Sequence, residues 1–293
     1  MIDLLRIAIP FKEQFVSCGV DSLDRPVGLI DLNECALRGC KLEAGEVKYL
    51  GVGEYEVGRL RHPYESLPSS NSTLSFKIFK GGDNYWPHIE IKASPAKLLQ
   101  AHNVYGSDNV KLCVETLVIA FTHALPAICD MLDFYLSELK QIDCTYMARV
   151  ETEMQSRAVI QALKNLSSGQ TRASRSAHET TVYWGTTSRN GKKSSHKQLK
   201  AYLKMAEVLA QITELQKVVE TTEEGSWQRV QLAALQDADL QDFARNTIRF
   251  EASVMPNFLK RLGFPTRMGD FVHHCESMKN KRCPVQWLWF ESW

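Results

Sequence analysis

Tyr202 lies in the part of the chain with the clearest capacity for chemistry, a basic segment that ends at Lys204. This segment contains no acidic residue, and its cations are Arg189, Lys192, Lys193, Lys197, Lys200 and Lys204. Six cations can neutralise several phosphates and would make DNA binding sensitive to salt; a solvated loop is the alternative. A tyrosine hydroxyl, with a pKa of about 10, is a poor nucleophile unless cations or a metal stabilise its phenolate. In an extended segment Lys200 and Lys204 flank Tyr202 on one face, so Tyr202 is a candidate nucleophile, with ordinary packing as the alternative.

Three other segments place acidic or imidazole side chains on the polar face of a predicted strand, because successive side chains alternate. These residues are His88, Glu90 and Lys92 in 88–92, Asp143 in 142–149, and Arg249 and Glu251 in 247–254. If the strands are neighbours, carboxylates and an imidazole meet in one patch. Oxygen ligands with one imidazole suit Mg²⁺ or Mn²⁺ better than a soft thiolate-bound metal. The alternative is that these are the solvent faces of ordinary strands.

The elements that would position these residues indicate an α+β or α/β protein with a mainly antiparallel sheet. Alternation predicts strands at 3–9, 27–32, 46–50, 74–80, 88–92, 142–149, 180–184 and 247–254. Helices are predicted from Ser94, over 108–135 with a bend at Pro126 as an alternative, over 151–167, and up to about Arg245. The segment 199–204 can be a strand or the start of a helix through Glu220, and periodicity does not decide between them.

Length, composition and charge indicate a globular protein and exclude wholesale disorder. The 293 residues suggest one large domain or two smaller ones. Hydrophobic residues make up 44% and charged residues 24%, which are ordinary globular values. The 35 basic and 34 acidic side chains leave a net charge of +1, so any attraction for DNA must be local.

Apolar runs and cysteines indicate a cytoplasmic protein without a membrane segment. The longest apolar run, Leu117 to Leu125, is far shorter than the roughly 18–20 residues of a membrane span. The N-terminal residues have the pattern of a first strand rather than of a signal peptide. The eight cysteines include no CxxC pair, and reduced, mostly buried thiols are the simplest interpretation.

Several stretches occur in an order that closely resembles the gene II replication initiators of filamentous phages. They are HPYESLPSS (62–70), HIEIKASPAKLLQAHNVYG (88–106), QIDCTYMAR (141–149), NLSSGQTRASRS (165–176), KAYLKMAE (200–207) and TIRFEASV (247–254). The resemblance runs from Met1 to about Arg267, some nine tenths of the chain. The order of motifs is also similar to that of the rolling-circle initiators of staphylococcal plasmids.

The resemblance implies a site- and strand-specific DNA endonuclease with joining activity. Such an initiator nicks the viral strand at the origin, and a tyrosine stays attached to the 5′ phosphate while the free 3′ hydroxyl primes synthesis. The displaced strand is later cut and joined into a circle. The tyrosine of the AYLK segment is Tyr202 here. The implied fold is α+β, a central antiparallel sheet of the HUH nuclease kind with helices on one face and the DNA site on the other.

The resemblance also implies roles for individual side chains. Lys204 would stabilise the phenolate or the phosphate. The expected ligands of Mg²⁺ or Mn²⁺ are Glu90, Asp143 and Glu251, with His88 or His102. The expected DNA contacts are Lys92, Arg172, Arg175, Arg189, Lys192, Lys193, Lys197 and Lys200. The chain departs from HUH nucleases in one respect: they carry two histidines around a hydrophobic residue, whereas this chain has Glu90 in the second place.

Residues 1–267 are predicted to form the nicking-joining domain, with 1–80 as a β-rich subdomain in an alternative division, and 268–293 a truncated or diverged segment. The implied partners are origin DNA, as duplex and single strand, the helicase and polymerase of the bacterial host, and further copies of the chain on DNA. Two other functions stay open on the sequence. One is a catalytically silent origin-binding repressor, and the other is a plasmid or transposon relaxase. Tyr183 is an alternative second nucleophile.

Overall fold

The computed structural model describes residues 1–20, 26–52, 54–82, 85–168, 171–173, 179–185 and 196–293. The strands in this part of the chain are β1 Ile2–Pro10, β2 Val16–Val20, β3 Pro26–Ile30, β4 Glu43–Gly51, β5 Glu54–Arg61, β6 Glu65–Pro68, β7 Thr73–Phe79, β8 Gly81–Gly82, β9 His88–Ala93, β10 Glu138–Arg149, β11 Ser167–Ser168, β12 Thr171–Arg172, β13 Thr181–Trp184, β14 Lys197–Leu203 and β15 Thr247–Val254. The helices are α1 Leu32–Leu37, α2 Pro95–Gln100, α3 Val110–Ala124, α4 Pro126–Cys129, α5 Glu153–Leu163, α6 Lys204–Val219, α7 Trp227–Leu235, α8 Ala238–Arg245, α9 Pro256–Arg261, α10 Met268–Met278 and α11 Pro284–Ser292. Short 3₁₀ turns cover Glu13–Phe15 and Phe134–Leu136.

A large sheet organises the described part of the chain, with the strand order β13-β14-β15-β10-β1-β9-β7-β6. Every neighbouring pair in it is antiparallel, which confirms the predicted antiparallel sheet. The first strand of the chain lies in the interior of this sheet, between β10 and β9. Smaller sheets join β2, β3 and β8, β4 and β5, and β11 and β12.

The two faces of the large sheet differ in polarity because its strands alternate apolar and polar side chains. Leu5, Ile142 and Ala252 lie on the apolar face and are fully buried. Their sequence neighbours Asp143 and Glu251 point to the opposite, polar face, where they line a cavity.

Helices α3, α10 and α11 cover the apolar face. Phe121 of α3 packs on Phe76 of β7, with ring centroids 6.0 Å apart. In α11, Trp289 donates a hydrogen bond of 3.2 Å from Nε1 to the carbonyl of Phe250, and Leu288 is fully buried. The C-terminal residues from 268 onward therefore share the main apolar core.

Helices α6, α7 and α8 form a second apolar cluster at the border of the polar face. Its buried members are Val104, Val208, Ile212, Leu215, Leu235, Leu240 and Ala244. Glu207 of α6 and Trp227 and Gln231 of α7 line the same polar-face cavity as Asp143. The expectation that the helices would lie on one face was therefore wrong for α6 and α7, because their short apolar stripes pack on each other rather than on the main core.

The helical pattern over 108–135 is interrupted at Leu125, where Pro126 starts a new short helix, since proline cannot donate the next helical hydrogen bond. The undecided segment 199–204 combines both alternatives: the strand runs to Leu203 and α6 begins at Lys204. In the described part of the chain, no helix has both the length and the apolar character that crossing a membrane requires.

Candidate functional site

A cavity of about 440 Å³ opens on the polar face of the sheet where β1, β10, β15 and β14 lie side by side. Charged side chains dominate its wall, which includes Asp3, Lys92, Asp143, Lys200, Tyr202, Glu207 and Glu251. Tyr202, Asp143 and Glu251 come from three different strands, so the sheet brings together residues that are far apart in the sequence. We call this the Tyr202 cavity.

Tyr202 lies in β14 directly opposite Arg249 of β15. Its hydroxyl donates a hydrogen bond of 3.4 Å to Oε2 of Glu251 and accepts one of 3.4 Å from Nη1 of Arg249. The ammonium of Lys200 lies 4.0 Å from the centre of the tyrosine ring. Burial raises the pKa of Tyr202 well above its usual value, and the charge of Arg249 opposes this shift. The hydroxyl is thus held between a base and a cation.

Arg249 is the largest fully buried side chain of the described residues. Its Nη1 lies 3.7 Å from Oδ2 of Asp3, and Oδ1 of Asp3 accepts a hydrogen bond of 2.8 Å from the amide of Asn103. Burial opposes the charge of Arg249, but Asp3 and the other nearby anions outweigh this effect and raise its pKa. Because a buried charge is costly unless it is paired, Asp3 is the residue that keeps this cation beneath Tyr202.

Lys204 begins α6 and points into the protein rather than toward the hydroxyl of Tyr202. Its ammonium donates hydrogen bonds of 3.0 Å to Asn103 Oδ1 and 2.6 Å to Glu207 Oε2. Burial lowers the pKa of Lys204 to about 8, and the nearby Arg249 adds to this effect. Burial disfavours the anionic form of Glu207, yet the attraction of Lys204 outweighs it and lowers the pKa of Glu207 to about 2. Lys204 therefore anchors the strand-to-helix junction that carries Tyr202.

Asp143 and Glu251 lie on adjacent strands, one register step apart, since Asp143 pairs with Ser253 and Glu251 with Thr145. Burial and the charge of Glu251 raise the pKa of Asp143 to about 7. Burial and the charge of Asp3 raise the pKa of Glu251. Two buried carboxyls that resist simultaneous ionisation are stabilised as anions by a divalent cation.

The other three expected metal ligands lie outside the Tyr202 cavity. Glu90 forms a salt bridge with Arg6, and His88 stacks on Phe79 with ring centroids 4.8 Å apart. Nδ1 of His102 accepts the backbone N–H of Val104 at 3.3 Å, so the neutral ring carries its proton on Nε2.

Among the described residues no three His, Cys, Asp or Glu side chains form a ready-made metal site. The fit of Mg²⁺ or Mn²⁺ therefore rests on the carboxyls of Asp143 and Glu251.

The expected DNA contacts fall into three groups. Lys92 and Lys200 line the Tyr202 cavity. Lys197 lies on the opposite face of β14, where its ammonium donates a hydrogen bond to the carbonyl of Ser292 in α11. Arg172 is in β12, and Arg175, Arg189, Lys192 and Lys193 lie outside the described residues.

Sequence reasoning did not assign Asp3, Asn103, Glu207 or Arg249 to the site. Arg249 shares the alternation phase of Glu251, and that phase is a signal that it faces the same side. Asp3 gave no such signal, because the register of β1 against β10 shifts between Ile2 and Leu4.

Comparison with known proteins identifies the family. Residues 1–281 match the family model that describes the N-terminal part of the phage replication-associated protein encoded by gene II. The chain belongs to this family. Over 274 residues it is 39% identical to the replication-associated protein of Enterobacteria phage M13, and over 282 residues it is 40% identical to that of Salmonella phage IKe. These matches cover 93% and 96% of this chain, and the resemblance to filamentous-phage initiators is confirmed.

The chain spans 65% of the length of these two phage relatives. No solved structure matches the chain. Family membership thus establishes kinship with phage replication proteins, whereas the chemistry must be argued from the Tyr202 cavity.

Proposed function

We propose that this member of the phage replication-associated protein family is a replication initiator that nicks one DNA strand through Tyr202 and later rejoins it. The observation that carries the proposal is the position of the Tyr202 hydroxyl, which lies on the wall of an open cavity between Arg249 and Glu251. Packing alone does not require a buried cation and a carboxylate on either side of one hydroxyl.

In the proposed first step the oxygen of Tyr202 attacks the scissile phosphorus. A bond forms between that oxygen and phosphorus, the bond from phosphorus to the 3′ oxygen breaks, and the 3′ oxygen takes up a proton. Glu251 accepts the tyrosine proton, because its oxygen already accepts the hydrogen bond and its raised pKa makes it a stronger base. Arg249 stabilises the negative charge that develops on the tyrosine oxygen.

Joining is the same step in reverse, with a 3′ hydroxyl attacking the phosphotyrosine. One phosphodiester replaces another in each direction, so the cycle needs no nucleotide triphosphate. Mg²⁺ or Mn²⁺ held by Asp143 and Glu251 would offset charge on the non-bridging phosphate oxygens. Lys92 and Lys200 would bind the phosphates on either side.

The partners follow the resemblance and are part of the proposal. Origin DNA would be bound as duplex and then opened at the nick. A helicase and a polymerase of the host would extend the 3′ end, and copies of the chain would associate on the DNA.

A covalent-trapping assay tests this chemistry. The protein is mixed with a 3′-labelled origin strand and Mg²⁺ or Mn²⁺ and is then denatured in detergent. We expect a slowly migrating labelled band that is lost with EDTA and with Tyr202→Phe. Tyr183→Phe is the matched control, since Tyr183 lies opposite Lys200 in the neighbouring strand β13. Cleavage without an adduct would indicate a water nucleophile, and an adduct that survives Tyr202→Phe would reject the assignment.

The near-complete burial of Tyr202, 3% exposed, favours one second candidate, an origin-binding repressor without cleavage. A buried hydroxyl with a raised pKa is a poor nucleophile until its environment changes. Binding of the origin strand with neither cleavage nor adduct would support the repressor.

A further inference from the structure

The polar face of the sheet continues beyond the Tyr202 cavity into a second, shallow cavity of about 220 Å³. We call it the aromatic cavity. Its lining residues are Ala8, Pro10, Tyr85, Trp86, His88, Leu136, Glu138 and Lys140. Ala8 and Pro10 lie opposite Glu90 and His88 in the β1–β9 pair. Small side chains thus form its floor, and aromatic rings form its wall. The volume is below the range of about 300–1,000 Å³ for drug-sized ligands and suits a single flat ring system.

The rings of the aromatic cavity are fixed in position. His88 stacks on Phe79 with an angle of 9° between the ring planes. Tyr85 packs edge-on against His88, with centroids 5.9 Å apart. The indole of Trp86 donates a hydrogen bond of 3.0 Å to the carbonyl of Phe11. Even so, Tyr85 is 48% exposed, so an oriented ring face remains open to solvent.

Cations lie among these rings. Lys77 lies next to Phe79, its ammonium 5.5 Å from the ring centroid. Lys140 lines the cavity itself, 2.7 Å from Glu138. Aromatic rings that accept bases, interleaved with cations that bind phosphates, are the features of single-strand nucleic-acid sites.

The aromatic cavity and the Tyr202 cavity lie along one strand. His88 lines the first and Lys92 the second, and four residues of strand correspond to roughly 13 Å. Both side chains lie on the polar face of β9. A short run of nucleotides can therefore occupy both cavities without leaving the sheet.

We propose that the aromatic cavity binds an unpaired nucleobase of the DNA strand whose phosphate lies at Tyr202. The inference rests on the proposed function, because it takes its ligand to be the strand that is cut. Bases inside a duplex are stacked on each other, so only an unpaired base can offer its flat face to Tyr85 and His88. The aromatic cavity would thereby hold the strand open beside the nick.

Binding of an oligothymidylate of about 12 nucleotides, a length within known single-strand site sizes, tests the proposal. Fluorescence anisotropy is measured in the Tyr202→Phe background without divalent cations, so that cleavage plays no part. We expect Tyr85→Leu to weaken binding roughly 5- to 150-fold, the usual effect of losing one base–aromatic stack. Tyr85→Phe keeps the ring and should bind within about twofold of the parent.

Tyr146→Leu is the matched control, since Tyr146 is a half-exposed tyrosine that contacts Trp289 on the opposite face of the sheet. It should leave the affinity for oligothymidylate unchanged. Equal losses for Tyr85→Leu and Tyr146→Leu, or no loss for Tyr85→Leu, would overturn the proposal. An equal loss with a duplex of the same length would overturn it as well, because stacking requires unpaired bases.

Photocrosslinking with 5-iodouracil in the same oligonucleotide locates the base. We expect the crosslink on Tyr85, Trp86 or His88, and a crosslink confined to residues outside the aromatic cavity would reject the site. The outcome is independent of the covalent-trapping assay. Tyr85-dependent binding without a tyrosine adduct would retain this inference and reject the nicking chemistry, whereas an adduct with unchanged binding in Tyr85→Leu would do the reverse.

Discussion

Arg249 and Tyr202 lie at directly paired positions of β15 and β14, and the guanidinium donates a 3.4 Å hydrogen bond to the tyrosine hydroxyl. A fixed cation at this distance favours the phenolate over the phenol and so counteracts the burial that raises the pKa of Tyr202. Lys204, the cation that the sequence suggested for this role, is engaged by Asn103 and Glu207 instead. Arg249 is therefore the residue that we expect to stabilise the attacking oxygen.

Replacing Arg249 with methionine should lower the free energy of unfolding by about 3–5 kcal/mol, because the buried carboxylate of Asp3 loses its partner. Urea denaturation measures this loss. In the double variant Asp3→Asn/Arg249→Met, neither charge is left alone, so the loss should be clearly smaller than the sum of the two single losses. Additive losses would show that Asp3 and Arg249 do not stabilise each other.

Glu207→Gln should flatten the acid side of the stability profile. The folded-state pKa of Glu207, about 2, is below its ordinary value, so its ionised form contributes stability above about pH 4.5. That contribution, on the order of 3 kcal/mol at most, is lost as the pH falls toward 2. Urea denaturation at several pH values compares the parent with Glu207→Gln. Glu214→Gln, an exposed partner of Lys217 on the same helix, is the control and should keep the parent slope.

Binding of Mn²⁺ should weaken as the pH falls below about 7. Protons compete with the cation for Asp143, whose pKa is raised to about 7 by burial and by Glu251, so the affinity should fall by up to about tenfold per pH unit. Isothermal titration calorimetry measures this dependence, and Asp143→Asn should remove most of the binding. Glu90→Gln should bind like the parent, because Glu90 is engaged by Arg6 outside the Tyr202 cavity. An equal loss in Glu90→Gln would place Glu90 among the ligands.

Lys200→Ala and Lys92→Ala should each reduce the salt dependence of single-strand binding. Each cation that neutralises one phosphate contributes about 0.7 to the slope of log K against log salt. The slope is measured by anisotropy at a series of salt concentrations. Lys197→Ala is the control, since the ammonium of Lys197 binds the carbonyl of Ser292 on the other face. A reduced slope in Lys197→Ala alone would place the DNA on that other face and contradict the proposed path of the strand.

Alternation in the sequence was sufficient to predict the strands that carry the site and the faces on which their side chains lie. It placed Asp143, Glu251 and Tyr202 on polar faces, because a strand with one buried face has a period of two. Strand order could not be predicted in this way. The separation of Glu90 from Asp143 depends on the insertion of β1 between β9 and β10, which no local pattern encodes.

The buried polar network was also beyond local reasoning. Lys204 continues the alternation of β14, yet it is the first residue of α6, and the change of backbone conformation turns its side chain inward. The partnership of Asp3 with Arg249 joins opposite ends of the chain and is hidden further by the register shift in β1. Long-range pairing and local irregularity are the two features that periodicity does not detect.

The interior position of β1 has a consequence for the order in which the molecule forms during synthesis. Ile2–Pro10 emerges first from the ribosome, but its partners β9 and β10 follow much later, and β15 later still. Sheets built from such distant segments fold slowly, since long loops must close before their contacts form. A nascent chain without β15 lacks Arg249 and Glu251 and therefore has no means to activate Tyr202. The capacity to cut DNA should appear abruptly, when nearly the whole chain has been made.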